Sequence, residues 1–310
     1  VVSEPLILVI GPTAVGKSDL ALDLAESAGG AILSADAMQV YRGFDRGTGK
    51  PGPSQRARVP HFLIDIADPR RDFSAGDFVR AAEAALEECR RRSLRPIVVG
   101  GTGLYVRALL RGLFDGPPRD PALRERLHAG ALRRGLGHLH RLLARLDPVS
   151  AERLGPADEQ RLVRALEVRL TTGRPLSQFH AEDGGDLWLD KDRYPAVKIG
   201  LSRQRGDLVE RIRRRVDGFF DAGLVEEVRR LLAAGVPGEA NAFKGIGYRE
   251  SLAAVRGEIA EEEARRRTFT ATCQYAKRQM TWFRREARVR WIRADRSPQE
   301  ICRMAEALLN

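Results

Sequence analysis

Along the 310 residues, short apolar runs alternate with longer amphipathic stretches. Residues 6–10, 31–34, 62–66, 96–99, 197–201 and 289–292 read as strands, apolar enough to be buried on both faces. Helical periodicity fills the intervals, beginning with Asp19 to Ala25. Buried strands alternating with helices predict an open, mostly parallel α/β sheet flanked by helices, with ligands at the C-terminal ends of the strands. After Gly112-Leu113-Phe114-Asp115-Gly116-Pro117-Pro118 the pattern changes: from Pro121 to Gln178 amphipathic helices follow one another without a strand. They are punctuated by Asp147-Pro148, Gly155-Pro156 and Gly173-Arg174-Pro175, and a polar loop from Glu182 to Asp186 closes the series. Residues 113–195 are therefore expected to be a helical insertion in a core made of 1–112 and 196–310. Four more helices are expected at 207–220, 224–234, 247–255 and 261–285.

Composition changes this picture in one respect. With 43% hydrophobic and 31% charged residues the chain is globular, but its net charge is +11 and its pI about 10.2, so its surface favours a polyanion. Only six of the 53 basic residues are lysine, an excess of arginine that a GC-rich genome writes by itself. Cys89, Cys273 and Cys302 stand apart, without the spacing of a zinc module or a disulfide framework, which fits a reducing, cytoplasmic setting. No apolar run approaches the ~20 residues of a bilayer span, and no secretory pattern opens the chain, so no membrane partner is expected.

The most specific chemistry is Gly11-Pro12-Thr13-Ala14-Val15-Gly16-Lys17-Ser18, a complete G-x-x-x-x-G-K-[ST] loop between a strand and a helix. Such a loop turns backbone N–H groups toward a diphosphate, while Lys17 adds a point charge and the Ser18 hydroxyl can hold Mg²⁺. Whether the ligand is ATP or another diphosphate stays open at this point. The second strand ends in Ser34-Ala35-Asp36-Ala37-Met38-Gln39, where Asp36 is a candidate general base and equally a turn or N-cap aspartate. His61-Phe62-Leu63-Ile64-Asp65 has the shape of a Walker B strand, which would make Asp65 a magnesium-positioning acid of a P-loop kinase or NTPase. Pro96 to Tyr105 places a glycine-rich bend and the Thr102 hydroxyl at another strand end. Arg211, Arg213, Arg214 and Arg215 crowd one helix, where a solvated face is the default and an anion site the alternative. From 261 to 293 ten basic residues face four acidic ones, with Tyr275, Trp282 and Phe283 interleaved, a pattern suited to RNA contact, although the last two could be core.

Taken together, these strings resemble the bacterial tRNA dimethylallyltransferase (tRNA isopentenyltransferase) family. The matching segments are the loop at 11–18, Ser34 to Tyr41, Gly47-Thr48-x-Lys50-Pro51, Pro96 to Tyr105, Gln160 to Val168, Thr172-Gly173, Gly223 to Val228, Gly247-Tyr248-x-Glu250 and Ala276 to Trp282. Their order and combination, from Leu6 to about Phe283, carry the resemblance. It implies a P-loop NTPase-like fold and transfer of a dimethylallyl group from dimethylallyl diphosphate to N6 of the adenosine 3′ of the anticodon. By resemblance, Asp36 takes the N6 proton, and Thr13, Lys17, Ser18 with Mg²⁺, and Arg215 stabilise the departing diphosphate. The resemblance likewise assigns tRNA contact to Asp36, Ala37, Met38, Gln39, Thr102, Arg124, Gln160, Arg161, Leu162, Val163, Arg164, Lys244, Lys277 and Arg278. The helical insertion would grip the anticodon stem-loop, with the target base extruded toward the donor, and the working unit would be a monomer. Three departures stand out: Ala37 where the family usually has Ser, Cys273 where Arg is common, and His61-Phe62 for a frequent His-His pair. Competing readings are the ATP-dependent P-loop kinase or NTPase, a non-catalytic RNA-binding protein, and a prenyltransferase acting on free adenine nucleotides.

Overall fold

Six strands, β1 Leu6–Ile10, β2 Gly30–Ser34, β3 His61–Phe62, β4 Arg95–Gly100, β5 Ala196–Ser202 and β6 Val289–Arg293, form one parallel sheet in the order β3-β2-β4-β1-β5-β6. The computed structural model describes residues 5–113, 116–182 and 192–309. It divides into two compact units, Val1–Leu110 with Asp192–Asn310, and Arg111–Lys191. The return segment stays with the sheet because Arg193 N–H donates to Leu110 O at 2.6 Å and Lys198 pairs with Asp192 at 2.8 Å. The helical unit is thus 111–191, where 113–195 is expected.

In the sheet unit the pleat of β1 explains its unbroken apolar sequence. Ile7 and Val9 point to one face, among Leu20, Leu24, Ile301 and Ala305 of helices α1 (Lys17–Ser27) and α14 (Pro298–Glu306). Leu6, Leu8 and Ile10 point to the other, among Phe78, Ala82, Val106 and Leu109 of α3 (Ala75–Arg91) and α4 (Gly103–Arg111). Between them in sequence lies the short α2 (Pro53–Arg58). A further cluster joins the loop at Val40, Tyr41 and Phe44 to α10 (Arg205–Asp221), α11 (Leu224–Ala233), α12 (Tyr248–Val255) and α13 (Glu261–Phe283).

The helical unit contains α5 (Pro121–Arg134), α6 (Leu136–Leu146), α7 (Pro148–Arg153), α8 (Glu159–Thr172) and α9 (Leu176–Glu182) around Leu123, Leu139, Leu143, Leu162 and Leu166. Asp147 caps α7 ahead of Pro148, accepting from Ser150 N at 3.1 Å, and ties in α9 by accepting from Ser177 N at 3.0 Å. Phe114, Asp115 and the expected polar loop beyond Glu182 lie outside the described residues.

One strand is shorter than its apolar run. The expected strand 62–66 survives only as His61–Phe62, because Leu63 and Asp65 adopt φ of 68° and 60°, left-handed backbone that no ladder continues.

Candidate active site

The C-terminal ends of the four central strands converge on one edge of the sheet. From β1 comes the loop 11–18, from β2 Asp36, from β4 Gly101 and Thr102, and from β5 Arg203. Gly11 is required twice over: its φ is 144°, and a Cβ would lie 2.6 Å from Leu201 O on the neighbouring β5. Gly16, at φ 109°, turns the chain into α1, whose first residue is Lys17.

Side chains from distant elements then orient the loop. Arg211 Nε donates to Ala14 O at 2.8 Å and Arg203 Nε to Val15 O at 3.2 Å. Across a trans peptide the next N–H points the opposite way, so these bonds aim the N–H groups of Val15 and Gly16 away from the arginines and into the loop. Thr13 N–H is the exception, since it donates to Gln279 Oε1 at 2.8 Å, leaving Thr13 its hydroxyl as the group with which to meet a ligand.

Lys17 Nζ donates to Pro12 O at 2.6 Å. Burial pushes its pKa down to about 7, the nearby Arg215 adds to that, and Asp36 works against it. Arg215 itself is lowered by burial and supported by Asp36. Asp36, Lys17 and Arg215 therefore share one electrostatic environment.

Arg215 owes its position to the loop after β2. Gly49, at φ 61°, passes directly beneath the guanidinium, where a Cβ would lie 2.9 Å from Cζ and overlap Nη2. That loop is strapped down elsewhere. Glu227 accepts from Asp45 N at 3.0 Å and Arg46 N at 3.1 Å, and the Tyr248 hydroxyl donates to Glu227 at 2.7 Å while accepting from Gly47 N at 3.0 Å. Gln39 adds a third tie, accepting from Ser34 Oγ at 2.8 Å and donating to Thr48 O and Gly49 O at 3.2 Å.

Asp36 is both things its sequence allows. Its Oδ1 accepts from Met38 N at 2.8 Å and Gln39 N at 3.3 Å, an Asx-type turn, and the charge of the same carboxylate acts on Lys17, Arg215 and Tyr275. Beside it, Thr102 Oγ1 accepts from Ala37 N at 3.1 Å. Tyr275 meets both Thr102 and Gln279, and burial, with Asp36 beside it, pushes its hydroxyl up to about 12.

Other expected site residues sit differently. Asp65 is no free Walker B acid: it pairs with the buried Lys50 at 2.6 Å and with Arg56 at 2.9 Å. The Gln39 amide is spent inside the protein, as above. Met38 packs under Gly245, next to the exposed Lys244. In the helical unit Leu162 and Val163 are core, 0% and 1% exposed, so their side chains reach no RNA. Arg124 and Arg164 bind the buried Glu167, at 2.7 and 2.6 Å, the first joining α5 to α8 and the second staying within α8. Gln160, Arg161, Lys277 and Arg278 are exposed. Of Trp282 and Phe283 at the end of α13, Phe283 is core and Trp282 lies 4.4 Å under the Arg107 guanidinium.

Sequence reasoning did not place Gln279 or Arg203 in the site, offered Arg211 only as one of four arginines that could meet an anion, and read Tyr275 as an RNA contact. The one usable signal was spacing: Arg211 and Arg215 are four apart and share a helix face, whereas Arg214 is exposed and pairs with Glu210.

The family described as IPP transferase matches residues 39–286, and that described as isopentenyl transferase matches 4–66. The chain is 51% identical over 287 residues to the tRNA dimethylallyltransferase of Geobacter metallireducens, covering 93% of this chain and 92% of that protein. That of Geobacter sulfurreducens is 46% identical over 287 residues, covering 93% and 91%. Among solved structures, the tRNA isopentenylpyrophosphate transferase of Bacillus halodurans superposes with a TM-score of 0.72 at 36% identity, covering 99% of this chain and 97% of that one. A eukaryotic dimethylallyltransferase described as acting on tRNA gives 0.79 at 25% identity, covering 94% and 74%.

Proposed function

The chain belongs to the tRNA dimethylallyltransferase family, and from that premise we propose how its residues divide the work of moving a dimethylallyl group from dimethylallyl diphosphate to N6 of the adenosine 3′ of the anticodon in tRNA. The adenine amine is a poor nucleophile because its lone pair is delocalised. The transfer therefore needs a base for the N6 proton and a site that stabilises the departing diphosphate. N6 attacks C1 of the donor, the C1–O bond breaks with its electron pair going to the diphosphate, and the N6 proton passes to the Asp36 carboxylate.

The leaving group is received by the loop N–H groups of Val15 and Gly16, the N-terminus of α1, Lys17, Arg215 and the Thr13 hydroxyl. The observation that carries this assignment is the shared environment of Asp36, Lys17 and Arg215 at one edge of the sheet. Base and leaving-group site are there held by separate elements and coupled by charge.

A magnesium ion fits this edge in a limited way. Ser18 presents an exposed hydroxyl at the start of α1, and no cluster of three metal-ligating side chains occurs among the described residues. Such a donor set suits a cation carried mainly by the diphosphate oxygens and water, with Ser18 as the protein ligand. When bound, it would neutralise charge on the leaving diphosphate.

For tRNA, the exposed Lys244, Lys277 and Arg278 of the sheet unit and Gln160 and Arg161 of the helical unit supply groups for phosphate and sugar. No helix among the described residues is long and apolar enough to cross a membrane. The ATP-dependent reading is disfavoured because its acid, Asp65, is committed to Lys50 and Arg56.

The test is incubation of the protein with labelled dimethylallyl diphosphate or labelled ATP, with and without tRNA. Label entering tRNA from the allylic donor, and its loss in Asp36→Asn with tRNA binding retained, is expected. Hydrolysis of ATP without transfer to tRNA would overturn the reading, and unchanged turnover in Asp36→Asn would remove that residue from the base role.

A further inference from the structure

Gln279 lies on α13, a helix whose outer side carries the exposed Lys277 and Arg278. In a helix so basic, a glutamine reads as one more solvated residue. It is instead 5% exposed, and its amide is spent in two directions. Oε1 accepts from Thr13 N in the diphosphate loop at 2.8 Å, and Nε2 donates to Gly101 O beyond β4 at 2.9 Å. Gly101 has no side chain for a reason that concerns this amide: a Cβ there would overlap Gln279 Nε2 and lie 3.2 Å from Cδ.

The bonds continue past Gly101. Thr102 N donates to Ala35 O at 3.3 Å, and Thr102 Oγ1 accepts from Ala37 N at 3.1 Å, so the residues on both sides of Asp36 are held by Thr102. Tyr275, one helical turn before Gln279, touches both Thr102 and Gln279. One amide thus stands between the loop that takes the leaving group and the turn that presents the base. Its own bonds reach the loop at Thr13 and the bend at Gly101, and Thr102 carries the tie on to the residues flanking Asp36.

We propose that Gln279 is a positioning residue for prenyl transfer, setting the distance between the diphosphate loop and the Asp36 turn while touching neither substrate. The inference rests on the function proposed above and deepens it. A side chain of this kind acts on the reacting geometry more than on either binding step. Nucleophile, base and leaving group must be in register at the same moment, and a misplacement of ~1 Å costs about 100-fold. Each substrate can still dock on its own half of the site.

Two variants test this from opposite sides of one bond. Gln279→Met keeps length and packing but removes both hydrogen bonds, and Gly101→Ala pushes the native amide aside. The measurements are the single-turnover rate at saturating dimethylallyl diphosphate and tRNA, the dissociation constant of inorganic pyrophosphate, that of tRNA, and the melting temperature. Expected for both variants is a rate at least ten-fold lower, with both dissociation constants within about three-fold of wild type. Gln279→Glu, which keeps an acceptor for Thr13 N–H but sets a carboxylate oxygen against Gly101 O beside the diphosphate loop, should not recover the rate lost in the Met variant.

A purely structural role would lower the melting temperature and weaken both ligands while leaving the saturated rate of the bound complex unchanged. That pattern, or wild-type rates in both variants, overturns the positioning role alone. If wild-type protein transfers no prenyl group to tRNA, the functional reading fails and the role of Gln279 falls with it.

Discussion

Replacing Gly49 by alanine should slow the reaction without Gly49 touching either substrate. Two effects follow from the geometry. First, φ at residue 49 is 61°, and an L-residue in left-handed backbone costs about 1–2 kcal/mol. Secondly, the new Cβ would sit 2.9 Å from Arg215 Cζ and closer still to Nη2, whereas ordinary carbon contacts need ~3.5 Å. Arg215 has a flexible side chain, so it moves, and its guanidinium withdraws by roughly 1 Å from the position it shares with Lys17 and Asp36. Loss of one preorganised donor to a leaving oxygen costs about 10²–10³ in rate, which sets the scale, and the loss in Arg215→Ala sets the ceiling.

A matched control is available. Gly257 has φ of 75° and open space where its Cβ would be, so Gly257→Ala carries the backbone strain without the displacement. Thermal melts of the two variants should shift down by similar amounts, about 2–8 °C. In single-turnover transfer assays, Gly49→Ala should be about 100-fold slow and Gly257→Ala near wild type. The double variant Gly49→Ala/Arg215→Ala should be no slower than Arg215→Ala alone, because the two act through one group. Wild-type turnover in Gly49→Ala, with its melt shifted as in Gly257→Ala, would refute the claim that this glycine places Arg215.

Two further predictions concern the supports of the site. Glu167 has its pKa lowered to about 2: burial alone would raise it, but bonds from Arg124, Arg164 and Asp120 N–H outweigh that. A depressed acid contributes stability above its unfolded value near 4.5 that is lost as pH falls from 4.5 toward 2. The ion-paired cluster should add about 3 kcal/mol at neutral pH, so Glu167→Gln should raise hydrogen exchange across 111–191, and unchanged protection would sink the assignment. Tyr248→Phe removes the hydroxyl between Glu227 and Gly47 N and should cost about 1–3 kcal/mol, while slowing transfer by loosening the loop beneath Arg215. A variant with full stability and full rate would show that this strap does not matter.

How much of this could be read from the residues depends on how far each interaction reaches along the chain. The sheet was legible because β1, β2, β4 and β5 are buried apolar runs with few competing interpretations. β3 was not, since Lys50 and Arg56 hold Asp65 in a turn and no local pattern reports an ion pair with residues earlier in the chain. The loop at 11–18 and Asp36 were legible because their chemistry is local. Gln279 was quoted in a matching string and still missed, because its partner is 266 positions away and a glutamine among arginines has the periodicity of a surface. Leu162 and Val163 show the converse: a segment grouped as RNA-binding turns two of its five residues into its own core, as any amphipathic helix must.

The position of β1 between β4 and β5 has a consequence for how the protein is made. The strand that leads into the diphosphate loop is synthesised first, yet its two neighbours in the sheet begin at Arg95 and Ala196, and the amide that receives Thr13 N–H belongs to residue 279. Until Leu201 has been added, nothing closes over Gly11. β1 must therefore wait, unpaired on one edge, until β5 has emerged. A chain cut short before Gln279 would keep its phosphate motif intact and leave its donor loop unset.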